Sequence, residues 1–182
     1  MKANFKHYGS IAVAPFLSAL EGIKPQDWSK YTYRQDLFPM HSKTQTIPIL
    51  YDIDYEVGVS KKSSFYDLFK NSIEYTTKTI SELTNSNCSI LRFIITNLPA
   101  NTIVDKHIDK ANSFKLYNRV HIPIITNNNV LFTVGEETIN MPAGEIYEIN
   151  NNNQLHGVVN NGNEDRLHII LDWYDYTKRT AI

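Results

Sequence analysis

One cysteine, Cys88, is present in 182 residues, so the chain can hold no internal disulfide framework, which fits a reducing cytoplasm. Beside the apolar run 90–95 its thiol reads as a small core filler rather than a nucleophile. Excess charge is also missing. The formal net charge is -1 and no Lys/Arg run occurs, which speaks against a nucleic-acid-binding surface. No apolar stretch approaches the length of a membrane span. The short run 11–20 is broken by Pro15 and followed by no small-residue cleavage pattern, so it is expected to belong to the fold and not to a signal peptide. No internal repeat is visible. These absences leave a soluble, cytoplasmic protein of one domain, 1–182, large enough to bury roughly two-thirds of its unfolded surface.

The pattern changes near residue 86. Before it, helix signals mix with short extended segments, in a region 1–86 expected to support the rest and to shape substrate selectivity. A short helix is expected within 16–28, interrupted near Gly22 and Pro25, and a strand over 46–55. Ser64 and Asp67 resemble a capping box, and Leu68, Phe69, Ile73, Thr76, Ile80 and Leu83 follow at helical spacing, predicting an amphipathic helix over about 65–83. Over 87–176 short strands alternate with turn residues. They are expected at 89–98, 103–108, 118–125, 130–134, 138–140, 145–149, 155–159 and 166–174. The Asn runs at 127–129, 150–153 and 161–163 sit at the turns, where Asn tolerates left-handed backbone angles. Roughly eight such strands imply a mainly β fold with flanking helices, a cupin-like double-stranded β-helix or jelly roll.

Chemistry concentrates in this second half. His107 and Asp109 stand two apart on an extended segment, so both side chains point to one sheet face. His156 follows 49 residues later. Two imidazoles and a carboxylate in the order H-x-D…H suit Fe(II), leaving open positions for a cosubstrate and O₂. Alone, H-x-D also describes a surface pair, and a lone His beside Leu155 and Val158 also describes a satisfied interior histidine. Arg166 shifts the balance. A hairpin of 155–160 with 166–172 would set Arg166 opposite Asn160, about 13 Å along the sheet from His156. A metal-bound 2-oxoglutarate and an extended arginine span a distance of that order, and a guanidinium can clamp the far carboxylate through two hydrogen bonds.

Arg119 and His121 share a face, either as charge partners near the cosubstrate or as a rim salt bridge and a histidine bonded to a carbonyl. His168 shares the Arg166 face in a supporting role, and Asp172 continues it as a turn or rim residue. His7 reads as a surface residue, and His41, near Arg34, as a candidate for the substrate mouth. Tyr31, Tyr33, Phe38 and Tyr117 read equally as a pocket wall or as core.

Leu98-Pro99, the His107/Asp109 pair, Arg119-Val-His121, Gly144-Glu145, His156-Gly-Val and Arg166 with Leu167 and Asp172 resemble the aspartyl/asparaginyl β-hydroxylase family of 2-oxoglutarate oxygenases. The resemblance covers roughly 88–175. It implies iron held by His107, Asp109 and His156, with the distal carboxylate of 2-oxoglutarate on Arg166. It also implies that Arg119 and His121 serve the metal-proximal end, and that Thr96 offers a hydroxyl to the distal carboxylate. The animal peptidyl-aspartyl branch lacks the carboxylate ligand. With Asp109 present, the chain is more similar to bacterial members with a full triad, which include hydroxylases of free amino acids such as proline.

The implied reaction consumes O₂ and 2-oxoglutarate, releases succinate and CO₂, and hydroxylates an unactivated C–H of an amino acid or a peptidyl Asp-, Asn- or Pro-type side chain. Asp109 fills the position that a halide would need. Two other classes remain in view. A cupin-like binding module without turnover has no need of Arg166. A zinc hydrolase would need a general base, for which Glu145 and Glu148 are the candidates. The partner expected is a small amino acid or peptide, with no nucleic acid or membrane; nothing in the sequence sets the oligomeric state.

Overall fold

From residue 88 onward the strands divide between two antiparallel sheets, and that division builds the interior. The computed structural model describes residues 3–51, 60–109 and 117–177. Its first half contributes β1 (Phe5–Ser10), α1 (Ala14–Leu20), α2 (Tyr33–Leu37), β2 (Gln45–Tyr51), β3 (Lys61–Lys62) and α3 (Tyr66–Thr84), with 3₁₀ turns at Pro25–Ser29 and Pro39–His41. Then follow β4 (Cys88–Leu98), β5 (Thr102–His107), β6 (Asn118–Ile125), β7 (Val130–Val134), β8 (Glu137–Ile139), β9 (Glu145–Ile149), β10 (His156–Asn160) and β11 (Arg166–Asp175). The larger sheet runs β1-β9-β6-β11-β4-β2-β3 and the smaller β5-β10-β7-β8. Two facing antiparallel sheets make the expected jelly roll with flanking helices.

Period-two alternation gives the larger sheet two different faces. Phe93 and Ile95 of β4, Val120, Ile122 and Ile124 of β6, and Ile169, Leu171 and Trp173 of β11 join the large apolar core with α3. The alternate positions on the same strands, Arg92, Thr96, Arg119, His121, Arg166 and His168, line a cavity between the sheets. A smaller core of Val104, Val130, Phe132, Val134, Met141 and Val158, joined by Leu98 and Ile149, closes the space beside it.

Helix α3 buries Phe69, Ile73, Thr76 and Ile80 at helical spacing against that sheet, while Leu68 and Leu83 of the expected stripe stay 44% and 41% exposed. Asn85, in the left-handed region at φ 47°, ends it. The Ser64 capping box does not form. Phe65 is the N-cap, and the Ser63 hydroxyl accepts the Phe65 N–H at 3.1 Å. The Asn runs also act differently from expectation. Among the described residues the left-handed Asn residues are Asn85 and Asn101, whereas the runs hold turns with their side chains: Asn127 Oδ1 accepts the Asn129 N–H at 2.9 Å. The expected strand 46–55 is observed to Tyr51, and 52–55 lie outside the described residues.

The hairpin expected between 155–160 and 166–172 is absent. β10 pairs with β5 and β7, and β11 pairs with β4 and β6, in opposite sheets. The cause lies at the crossing. Asn160, fully buried, donates from Nδ2 to the carbonyl oxygens of Leu98, Pro99 and Glu164 at 3.2, 3.2 and 2.9 Å, and turns the chain across the sandwich. Arg166 therefore pairs with Leu98 rather than Asn160. Among the described residues no helix is long and apolar enough to cross a membrane.

Candidate metal and cosubstrate site

His107 closes β5 directly opposite His156, the first residue of β10, with ring centroids 4.3 Å apart. The register slips between His156 and Val158, where a Cβ on Gly157 would stand 2.8 Å from the Val104 carbonyl oxygen, so only glycine fits the bulge. Asp109 turns back toward both rings. Its Oδ1 is 3.7 Å from His107 Nε2, and its Oδ2 is 3.9 Å from His156 Nε2. One donor atom from each of the three lies within 4.8 Å of the others. His107 Nδ1 donates to the Asp105 carbonyl at 2.8 Å, leaving the Nε2 lone pair free.

Asp109 is held from two sides. Its backbone N–H donates to the Asn151 carbonyl at 3.0 Å, and Asn151 Nδ2 donates to Oδ2 at 2.7 Å. Arg119 Nη1 donates to the same oxygen at 2.6 Å. Burial favours the neutral acid, but Arg119 and His156 outweigh it and hold the carboxyl well below the usual range. Burial also pushes the His156 imidazole down to about 4, with Asp109 opposing. An ionised carboxylate and a neutral imidazole are the forms that a divalent cation binds. Arg119 is itself gripped by Asp172 through Nε and Nη2 at 2.7 and 2.8 Å, and Asp172 also faces Arg92 at 3.6 Å. Asp172 is thus a buried anchor, 2% exposed, and not the expected rim residue. The three side chains form one cross-strand row, since Asp172 pairs in register with both Arg119 and Arg92.

At another part of the cavity Arg166 is 4% exposed, and among the described residues no carboxylate pairs with it. Its Nε has no hydrogen-bond partner there, and burial alone pushes the guanidinium down to about 9. Nη2 donates to His168 Nδ1 at 2.5 Å, and His168 Nε2 lies 2.8 Å from His121 Nδ1. His121 therefore meets a second histidine, not a carbonyl. Thr96 lines the cavity, and its hydroxyl donates to the His168 carbonyl at 3.3 Å. Around the mouth, Tyr31, Tyr33, Phe38 and His41 line the cavity, which holds about 690 Å³, while Tyr117 does not. His41 Nε2 accepts from Arg34 Nη2 at 2.9 Å and stands edge-on to His107, centroids 5.1 Å apart. His7 is a surface residue paired with Glu145, and Glu148 accepts from the Tyr8 hydroxyl; neither glutamate lines the cavity.

A sequence model of the aspartyl/asparaginyl beta-hydroxylase family matches residues 59–175. The chain belongs to that family. As a member of it, the chain is a 2-oxoglutarate-dependent dioxygenase, a hydroxylase, and the binding-module and zinc-hydrolase readings fall away. Several solved structures share the fold. A 2OG-Fe(II) oxygenase family oxidoreductase from Burkholderia pseudomallei superposes with a TM-score of 0.57 at 14% identity, over 91% of each chain. A Pseudomonas putida prolyl-4-hydroxylase gives 0.55 at 8% identity, over 94% of this chain and 92% of the other. HygX from Streptomyces hygroscopicus, solved with nickel, 2-oxoglutarate and hygromycin B, gives 0.54 at 12% identity, over 94% and 82%. No curated protein sequence matches significantly.

The residues fit both groups that the family implies. The 2-His-1-carboxylate set is the donor chemistry of a non-haem Fe(II) site, and Arg166 is a buried cation with an orphaned N–H, suited to a carboxylate. Sequence patterns alone did not disclose Asn151 or the anchoring role of Asp172. Asn151 sits in an Asn run that reads as a turn, and the Asp172 partner lies on a strand that is not its neighbour in sequence. Replacing Asn151 with Ala is expected to weaken Fe(II) or Mn(II) affinity about 10- to 100-fold with the fold intact. Competition against a chromogenic chelator would measure it, and unchanged affinity would free Asp109 from any dependence on Asn151.

Proposed function

We propose that this enzyme hydroxylates an unactivated C–H of an amino acid, free or within a peptide, with Fe(II) held by His107, Asp109 and His156. The distal carboxylate of 2-oxoglutarate lies on Arg166. The observation that carries this reading is the pairing of a two-histidine, one-carboxylate cluster with a buried, carboxylate-free arginine in one cavity. Bound together, iron and 2-oxoglutarate activate O₂ and supply the oxidising power, with succinate and CO₂ as products.

The chain's own residues do the positioning. Asn151 and Arg119 occupy Asp109 Oδ2, which leaves Oδ1 for the metal. Arg166, fixed on β11, orients the cosubstrate. Phe132 and Val158 exclude water from the space between. A cavity of about 690 Å³ suits a dicarboxylate with an amino-acid-sized substrate, and Tyr31, Tyr33 and Phe38 offer it aromatic walls. A full triad with Asp109 present supports a free amino acid, including proline, over a peptidyl Asp or Asn.

The deciding experiment is an anaerobic titration of purified protein with Fe(II) and 2-oxoglutarate, following the weak visible charge-transfer band of the chelate. His107→Ala is expected to abolish the band and Arg166→Ala to weaken it. Succinate release in the presence of individual amino acids and peptides then identifies the substrate. A folded, iron-loaded protein without the band would sink the proposal.

A further inference from the structure

We propose that Arg166, acting through His168, sets the tautomer of His121 so that His121 offers its Nε2–H to the acid bound in the cavity. This rests on the cavity being a 2-oxoglutarate site.

The argument is one of donors and acceptors. A guanidinium can only donate, so His168 Nδ1, 2.5 Å from Arg166 Nη2, must accept. A neutral imidazole carries one N–H, which then sits on His168 Nε2. That atom is 2.8 Å from His121 Nδ1, which must accept in turn, and the His121 proton moves to Nε2. His121 Nε2 is buried and, among the described residues, has no hydrogen-bond partner, although its side chain lines the cavity. Neutrality of both rings is enforced by their surroundings. Each is buried, His168 next to Arg166, and His121 near Arg119 and then Arg166; both are held well below the usual histidine range.

The cavity thus receives two donors of fixed sense, a guanidinium at one end of the relay and an imidazole N–H at the other. The opposite tautomer would turn a lone pair toward the anion. Strand register makes the relay possible. Arg166 and His168 are alternate residues of β11, and His121 is on the neighbouring β6, paired at Ile170 and so diagonal to His168. His168, with both ring nitrogens engaged, is a positioning residue.

The test uses the full chain labelled with ¹⁵N-histidine and a long-range ¹H–¹⁵N correlation spectrum of the metal-free protein. Signals are assigned with His121→Gln and His168→Gln. The expected result is the Nε2–H tautomer for both rings at neutral pH. Anaerobic titration of the Mn(II)-loaded protein then gives the 2-oxoglutarate affinity. In His168→Gln the amide oxygen can accept from Arg166 and the amide nitrogen can donate to His121, so most of the affinity is retained. His168→Leu breaks the relay, lets His121 populate the Nδ1–H form, and weakens 2-oxoglutarate binding by about tenfold. Wild-type protein that binds 2-oxoglutarate with His121 in the Nδ1–H form overturns the relay alone, as does equal binding by the Gln and Leu variants. Wild-type protein with both expected tautomers but no 2-oxoglutarate binding overturns the assignment of the cavity and the relay's role with it.

Discussion

Arg166→Met is expected to make the ligand-free protein more stable and nearly unable to bind 2-oxoglutarate. Arg166 is buried, and among the described residues it meets no carboxylate. Its compensation is one hydrogen bond to His168 and the Phe132 ring 5.9 Å away. Exchanging buried ionic groups for well-packed apolar ones is often stabilising by about 1–4 kcal/mol. Truncating one partner of a buried, hydrogen-bonded charge pair costs about 3–5 kcal/mol of binding, or roughly 10²–10⁴-fold in affinity. Thermal unfolding of the Mn(II)-loaded protein with and without 2-oxoglutarate reads both effects. Wild type should gain stability with ligand through mass action, while the variant should start higher and gain nothing. A variant less stable than wild type without ligand would mean that Arg166 already has a strong partner in the folded chain.

Acid should unfold the metal-free protein well above the pH at which carboxylates protonate. His41, His121, His156 and His168 are buried, and burial, before any charged neighbour, holds each below the usual histidine value, His41 at about 2 and His156 at about 4. Above an unfolded value near 6.5 both states are neutral and these groups contribute no pH dependence. Below it the unfolded chain takes up protons and the native chain does not, so stability falls with pH until the depressed native values are reached. Each group removes about 1.4 kcal/mol per pH unit. Summed over the four, the loss by pH 5 reaches several kcal/mol, comparable with the whole stability of a domain. Urea midpoints between pH 7.5 and 5 would measure the slope, and His168→Gln should lessen it by about a quarter. A flat profile over that range would refute the account.

Much of the fold was legible from residue 88 onward because half-buried strands alternate and their turns are marked by Pro, Gly and Asn. All eight strands expected there lie within two residues of observed ones. β1 was not legible. It is an edge strand whose sequence FKHYGS is largely exposed, so no face of it repeats apolar residues. The wrong hairpin came from assuming that neighbours in sequence pair, whereas the buried Asn160 sends the chain across the sandwich. The same assumption hid the Asp172–Arg119 pair, whose residues are joined only by the β6–β11 register. The residue types at 107, 109, 156 and 166 were visible without any structure. Alternation with Arg166 also marked His168 as a support, but Asn151 and Asp172 were not visible as such, because a supporting hydrogen bond leaves no spacing rule in the chain.

The strand order also governs how the molecule comes into being. β1 pairs with β9, and β11 inserts between β6 and β4, so the larger sheet is stitched almost entirely from segments distant in sequence. At about 5–20 residues per second of synthesis, β1 waits on the order of ten seconds for its partner. Contacts of this kind make for slow, non-local folding. His107, Asp109 and His156 all emerge before β11, the strand that delivers Arg166 and closes the centre of the sheet. A nascent chain therefore holds the two flanking parts of the larger sheet, β1-β9-β6 and β4-β2-β3, unjoined until that last strand arrives. Yield from expression should depend on growth temperature and chaperone supply more than on the stability of the finished protein.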